Sequence, residues 1–306
     1  MTASAQKPRV IVVLGTTASG KTTLGVDLAK KFNGQIISAD SRQVFLGMDL
    51  GTGKEGRKAR RNGQPVRIVK GIPQYLVDIK KPTQQYSVAL WQKEAAKLVK
   101  EIWNNGKVPF IVGGTGLYID ALLKGFSLPK TDKTLRKKLT KQSLKKLLTH
   151  LKKLDPKTYQ RIDKKNKRRI IRALEVCLLT KQPFSAQKKN PPAWDVLKIG
   201  VTHPRDILYE RIDQRVDKRI KQGMIAEVKK LKKQELSWKK LDNFGLEYRF
   251  IAKYLKGELS RAEMIEQLKF AIHHFARRQQ TWFKRDKQIH WIRTKKQAEK
   301  LVRKFI

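Results

Sequence analysis

The stretch Val10-Ile11-Val12-Val13-Leu14-Gly15-Thr16-Thr17-Ala18-Ser19-Gly20-Lys21-Thr22 decides the fold. Five consecutive apolar residues deliver the chain to the pattern G-x-x-x-x-G-K-[ST], and Thr22 to Ala29 continue with helical spacing. This is a Walker A loop in its strand–turn–helix context. Its backbone N–H groups converge on one anion, the helix N-terminus adds partial positive charge, and Lys21 adds a full one. Gly15 and Gly20 let the backbone approach oxygens that a Cβ would repel. The residues expected to line a bound phosphate or diphosphate are Gly15, Thr17, Ala18, Ser19, Gly20, Lys21 and Thr22, with the Thr22 hydroxyl placed on a Mg²⁺ ion.

Working outward, residues 9–127 read as α/β. A second strand, Gln35 to Ser38, leads into Ala39-Asp40-Ser41-Arg42-Gln43. Residues 65–79 suggest a hairpin reversing at Lys70-Gly71, preceded by a long basic loop over 55–66. An amphipathic helix covers about 86–104, and Val108 to Val112 form a buried strand ending in Gly113-Gly114-Thr115-Gly116. From about 128 the pattern changes. Leu128 to Arg168 holds 16 Lys or Arg against three aspartates, in short helices punctuated by Asp155-Pro156. A strand at Val196 to Val201 returns to the core, and Pro204 begins a long helix to about Gly223. Further helices are expected over 224–234, 244–256 and 260–284, with a last strand, Ile289 to Ile292, before a terminal helix. The expected architecture is a doubly wound parallel sheet around a P-loop (1–127 and 194–306), with an inserted, mostly helical basic domain at 128–193.

Composition narrows the function. The 306 residues carry 70 Lys or Arg against 26 Asp or Glu, a formal charge of +44. Thermophilic adaptation enriches lysine and glutamate together, and here glutamate has not followed, so a polyanionic partner is favoured and nucleic acid comes first. No apolar run reaches the ~20 residues that span a bilayer. Met1 to Pro8 form a polar tail without a signal-like region, so a cytoplasmic protein is expected. The lone cysteine, Cys177, excludes an intrachain disulfide and a cysteine metal cage, and reads as a helix-core thiol. His273 and His274 have no partner at ligand spacing, and Trp282 reads as core.

An ATPase or GTPase of this class ends a later apolar strand in a magnesium-holding aspartate. Here that strand ends in glycines. No D-D-x-x-D pair is present either. Beside the loop stands Asp40, which at the carboxyl end of the second strand should share the crevice with Lys21. It can be a magnesium-water ligand, a base for a hydroxyl, a base for an amine, or simply a helix N-cap.

The segments Gly15 to Thr22, Ile36 to Thr52, Val112 to Tyr118, Arg169 to Val176, Leu208 to Asp217 and Ala276 to Phe283 resemble, in order, the tRNA dimethylallyltransferase (tRNA isopentenyltransferase) family. D-S-R-Q and R-I-I-R-A-L-E-V are far more specific than the Walker pattern. The resemblance implies transfer of a dimethylallyl group from dimethylallyl diphosphate to the exocyclic amine of the adenosine 3′ of the anticodon. It implies catalysis by Asp40 as general base with Thr22, Mg²⁺ and Arg215 on the leaving diphosphate. It implies contact with the tRNA anticodon stem-loop through Asp40, Ser41, Arg42, Gln43, Thr115, Arg136, Arg168, Arg169, Ile170, Ile171 and Arg172, and a monomer. For Thr115, an N-cap of the next helix is the equal alternative. Gly53 departs from the family, where alanine is usual, as do Phe45 for tyrosine and Arg168 for glutamine. The rival readings are an adenylate isopentenyltransferase acting on free nucleotide, which needs no basic lobe, a P-loop small-molecule kinase, and a non-catalytic RNA-binding protein with a relic loop.

Overall fold

The computed structural model describes residues 6–306. The first five residues of the expected polar tail lie outside them. The chain forms two compact units, one comprising residues up to Ala121 with Ala193–Ile306, the other Leu122–Pro192.

The first unit is built on an eight-stranded sheet. Its strands are β1 (Arg9–Gly15), β2 (Gly34–Ser38), β3 (Arg57–Arg61), β4 (Gln64–Val69), β5 (Ile72–Tyr75), β6 (Val108–Gly113), β7 (Asp195–Val201) and β8 (Ile289–Ile292), ordered β3-β4-β5-β2-β6-β1-β7-β8. The pairs from β5 to β8 are all parallel, while β3–β4 and β4–β5 are antiparallel. β1 sits between β6 and β7, with Val13 opposite both Val112 and Ile199. A central parallel strand is covered on both faces, which is why Val10 to Leu14 are apolar without alternation. Ile11 and Val13 pack with α1 (Lys21–Lys31) and with Ala298 and Val302 near the C-terminus. Helix α2 (Val88–Asn104) packs on β2 and β6, where buried Trp91 donates to the Ser38 carbonyl at 2.9 Å.

After β6 come α3 (Gly116–Leu123) and the second unit, with α4 (Lys133–Thr140), α5 (Leu144–Leu154), α6 (Pro156–Arg161) and α7 (Lys167–Thr180). Its core gathers Leu139, Leu147, Leu151, Ile170, Ile171 and Leu174. Cys177 is buried in α7, and burial pushes its thiol up. The first unit resumes with α8 (Arg205–Lys221), α9 (Met224–Lys233), α10 (Trp238–Phe244), α11 (Leu246–Leu255), α12 (Arg261–Phe283) and α13 (Lys295–Phe305). Helices α8 to α12 share a large core with Val44, Phe45 and Met48 from the loop after β2.

Three expectations need correction. The basic stretch over 55–66 is not a loop: Arg57–Arg61 is an edge strand paired with β4. Asn62 and Gly63, both at positive φ (48° and 72°), make the two-residue turn that Asn-Gly specifies in a hairpin. Pro204 caps α8 from outside rather than opening it, and the short helix α10 falls before the one expected from 244. The reversal at Lys70-Gly71 stands as read.

The loop joining β2 to the hairpin is held from outside itself. Glu227 of α9 accepts the backbone N–H groups of Asp49 and Leu50 on Oε2 (2.8 and 2.7 Å) and of Gly51 on Oε1 (3.1 Å), while the buried Tyr248 hydroxyl donates to Oε1 at 2.8 Å. Lys54, with a fully buried side chain, bonds the Phe45 carbonyl, Asp49 and Asp78, and Arg67 of β4 joins the same two aspartates at 2.6 Å each. Replacing Glu227 by alanine strips three amides and a phenol of a charged acceptor. Urea denaturation should show Glu227→Ala lowering stability by about 1.5–3 kcal/mol, and Tyr248→Phe by about 1 kcal/mol. Negligible losses in both would mean that the loop is held by other contacts.

Candidate functional site

Strands β1, β2 and β6 run parallel, so the loops after them open at one edge of the sheet, and the chain leaves β1 towards β2 but leaves β6 towards β7. A crevice beyond the carboxyl ends is the expected result. A cavity of about 570 Å³ lies there, lined by the phosphate loop, Asp40 to Gln43, Gly113 to Thr115 and residues of α8, α11 and α12.

The phosphate loop is shaped for an anion. Ala18 and Gly20 take positive φ (59° and 83°), and Gly20 caps α1 without any side-chain acceptor. The first-turn amides therefore remain open to a ligand. Lys21 Nζ donates to the Thr16 carbonyl at 3.0 Å. Burial pulls its pKa down to about 8, with Asp40 opposing and Arg215 adding to the shift. Arg215, from α8, donates to the Thr17 hydroxyl, and burial followed by repulsion from Arg219 lowers it to about 10. Its Nε and the Ser19 hydroxyl are buried without a hydrogen-bond partner. Two buried cations, Lys21 disfavoured further by Arg215 and Arg215 by Arg219, beside orphaned donors, make a site that gains from a polyanion.

Gln279 of α12 fixes the loop's position. Its Oε1 accepts the Thr17 N–H and its Nε2 donates to the Gly114 carbonyl, both at 2.8 Å. The neighbouring glycines are required by close approach. A Cβ on Gly113 would stand 2.2 Å from the Ala39 carbonyl oxygen, and one on Gly114 2.7 Å from Gln279 Nε2.

Asp40 is half-buried. Its Oδ1 accepts the N–H groups of Arg42 (2.8 Å) and Gln43 (3.3 Å), which fixes the carboxylate without a helix to cap. Neither amide engages Oδ2, and Asp40 lines the cavity. Thr115 does not use its hydroxyl on α3; that oxygen accepts the Ser41 N–H at 3.1 Å and ties the two loops. Gln43 spans its own loop, accepting from Ser38 and donating to the Thr52 and Gly53 carbonyls. Arg42 is lowered chiefly by burial, with Asp40 opposing. Tyr118 is pushed up to about 12 by burial, so it keeps its proton. The structure also explains Gly53: it has φ +64°, and a Cβ there would lie 1.8 Å from Arg219 Nη2.

Several lining residues escaped the sequence reading: Arg219, Glu247, Arg249, Phe275, Arg278 and Gln279. The last lies within a segment quoted for the resemblance, but nothing in R-R-Q-Q says which glutamine turns inward.

Arg136 and Arg168 to Arg172 lie in the second unit. Arg136 and Arg172 bond the fully buried Glu175 at 2.6 and 2.7 Å, so both act as its counter-ions. Ile170 and Ile171 are core residues, while Arg168 and Arg169 are exposed. His273 bonds Asp213 at 2.8 Å and stacks on Tyr209, and Trp282 donates to Asp120 at 3.0 Å.

Comparison with known proteins agrees with this architecture. The profile of the IPP transferase family matches residues 43–286. A tRNA dimethylallyltransferase of Pelotomaculum thermopropionicum is 42% identical over 98% of this chain and 95% of its own length. One from Carboxydothermus hydrogenoformans is 42% identical over 97% and 96%. Among solved structures, the full-length tRNA isopentenylpyrophosphate transferase of Bacillus halodurans superposes with a TM-score of 0.69 at 35% identity, covering 98% of this chain and 95% of that one. A eukaryotic dimethylallyltransferase acting on tRNA superposes with a TM-score of 0.75 at 25% identity, over 90% and 70%.

The hydrogen bonds of Gln279 make one prediction at this site. Gln279→Ala releases the Thr17 amide and the Gly114 carbonyl, two bonds worth about 1 kcal/mol each. Calorimetric titration with inorganic pyrophosphate should show affinity falling by about tenfold or more. Unchanged affinity would mean that the loop keeps its shape unaided.

Proposed function

Because the chain belongs to the IPP transferase family, we propose that it transfers a dimethylallyl group from dimethylallyl diphosphate to the exocyclic amine of the adenosine 3′-adjacent to the tRNA anticodon. The observation that carries this reading is the pairing, in one cavity, of an anion cradle with a carboxylate, Asp40, that two backbone amides hold in place. A kinase can use both the cradle and the base; membership of the IPP transferase family separates the two readings.

In this reading the cradle holds the diphosphate of the donor. The allylic C–O bond breaks, its electron pair leaves on the diphosphate, and the adenine nitrogen bonds to the freed carbon. Lys21, Arg215 and the open amides of α1 stabilise the charge growing on the leaving group. The nitrogen becomes cationic as its bond forms, and Asp40 takes the proton on Oδ2 while Oδ1 stays fixed by its two amides.

Thr22, on the first turn of α1, is the residue that would touch a Mg²⁺ ion. Among the described residues no cluster of three or more His, Cys, Asp or Glu is built to hold a metal. A single neutral hydroxyl fits an ion that arrives with diphosphate oxygens and keeps waters of its own. Such an ion supplies counter-charge to the diphosphate.

The tRNA is the polyanion that the +44 charge accommodates. Asp40 to Gln43 and Thr115 would meet the nucleotide at the cavity. Arg168 and Arg169 would meet the backbone of the anticodon stem-loop, with Ile170, Ile171 and the Glu175 pairs of Arg136 and Arg172 presenting them. A base in a single-stranded loop can be splayed out into such a pocket at modest cost. No described helix is long and apolar enough to cross a membrane, and a cytoplasmic monomer is the simplest setting for this chemistry.

Incubation with tRNA and dimethylallyl diphosphate should yield prenylated adenosine by nucleoside mass spectrometry and release diphosphate only when both substrates are present. Asp40→Asn should slow single-turnover transfer by roughly 10²–10⁴-fold while tRNA binding changes far less. Phosphate release from ATP alone, without prenylated adenosine, would overturn the reading. A second check uses pH. Burial pushes Lys21 down to about 8, and a bound diphosphate favours its charged form. Below that pH donor affinity should be flat; above it, binding must take up a proton, so affinity should fall by up to about tenfold per pH unit. Affinity that stays flat through more alkaline pH would remove Lys21 from the donor site.

A further inference from the structure

The β3–β4 hairpin carries more charge than an edge strand needs. Residues 55–69 hold five cations against one carboxylate, Glu55. Arg57, Lys58, Arg60 and Arg61 are exposed, and only Ala59 between them is half-buried, opposite the buried Val66. A lysine-biased composition does not account for this strand. Over the whole chain Lys outnumbers Arg by 48 to 22, yet β3 has three Arg and one Lys. Arginine is the side chain whose planar fork matches a phosphate.

Topology gives those arginines a place. β3 is antiparallel to β4, β4 is antiparallel to β5, and β5 is parallel to β2. So β3 runs in the same direction as β2, and its last residue reaches the edge of the sheet where the cavity opens. The registers make this specific. Lys58 is opposite Arg67, Arg67 is opposite Gln74, and Gln74 is opposite Ile36. Counting on from that level, Arg61 and the Asn62-Gly63 turn come abreast of Ala39 and Asp40. Three strand spacings separate them, roughly 14–15 Å.

The hairpin is also rigidly joined to the catalytic loop. Arg67 on β4 bonds Asp49 and Asp78, and buried Lys54 bonds the same pair and the Phe45 carbonyl. Arg60 closes the tip by donating to the Gly63 carbonyl at 2.7 Å. A ligand gripped by β3 is thereby held in fixed register with Asp40.

We propose that the β3–β4 hairpin is a second phosphate-binding surface, on which Arg57, Arg60 and Arg61 grip the sugar–phosphate backbone of the tRNA flanking the nucleotide in the cavity. This rests on the tRNA reading above. Charge complementarity selects RNA, and the separation of Arg61 from Asp40, roughly 14–15 Å, puts the phosphates it contacts beyond the inserted nucleotide, with Arg57 further back along the strand. The arginines then set how the RNA strand enters the cavity as well as how tightly it is held.

The test compares two variants of the full chain that each remove three charges. One is Arg57→Gln with Arg60→Gln and Arg61→Gln; the other is Lys296→Gln with Lys300→Gln and Lys304→Gln on α13. Labelled tRNA is titrated against each at several salt concentrations, with thermal melting as the check on folding. Each phosphate contact contributes about 0.7–0.9 to the log–log salt slope. The hairpin variant should lose about 2–3 slope units, bind tRNA about tenfold or more weakly at low salt, and raise KM for tRNA without raising KM for the donor. The α13 variant should keep its slope. Equal slopes in both variants would overturn the proposal, leaving the arginines as protection against edge-to-edge strand pairing. So would loss of binding to phosphatidylserine vesicles with an intact tRNA slope, which would make the hairpin a membrane contact. A hairpin-dependent slope in a protein that prenylates no tRNA would sustain this surface and defeat the proposed reaction.

Discussion

One buried side chain keeps the phosphate loop where its chemistry is possible. A loop whose amides must point at a ligand cannot spend them on its own structure, so its position has to be imposed from outside. Gln279 does this with two hydrogen bonds, to a residue 262 positions away and to another 165 away. The Thr17 amide is thereby joined to the loop after β6, and the Ser41 amide is joined to that same loop through Thr115. Three strand ends become one rigid rim. Gln279 can do so because α12 is anchored at its start by a reciprocal Ser260–Glu263 capping box and along its length by Met264, Leu268 and Ile272 in the core.

The charges divide into two kinds by their partners. Arg67 and Lys54 are buried among Asp49 and Asp78, and Arg136 and Arg172 close on Glu175. These pairs specify local structure, and each would be costly to break from one side. Lys21 and Arg215 are different. They line the same cavity, their charges are disfavoured by burial, and Arg215 keeps an unpartnered Nε. A protein surface with +44 would not by itself distinguish these groups from solvated lysines. The distinction lies in what faces each cation.

Much of the frame was legible in the chain. The apolar run of β1 and the glycine spacing after it gave the phosphate loop, because both obey local rules: a central strand is apolar throughout, and an αL turn before a helix wants glycine. The capped amphipathic helices and the buried β6 strand followed similarly. The R-K-A-R-R stretch reads as a loop because charge on an edge strand looks like charge in a loop, and only the Asn-Gly turn that follows it marks the hairpin. Thr115 was open in another way: a threonine before a helix is an N-cap by pattern, and only the tertiary structure brings the Ser41 N–H onto its hydroxyl oxygen.

Motif spacing and hydrophobic period, which are local properties of the chain, suffice for the anion cradle, the parallel core and the candidates Asp40 and Lys21. Contacts made on folding settle which cations face that cradle, that Gln279 pins it, that two amides fix one Asp40 oxygen beside the cavity, and that a basic hairpin ends level with it. Those facts depend on strand order and register, which bring residues from positions 17, 40, 114, 215 and 279 to one edge. Contacts of that separation are set by which faces must be buried together, and no short window of sequence contains them.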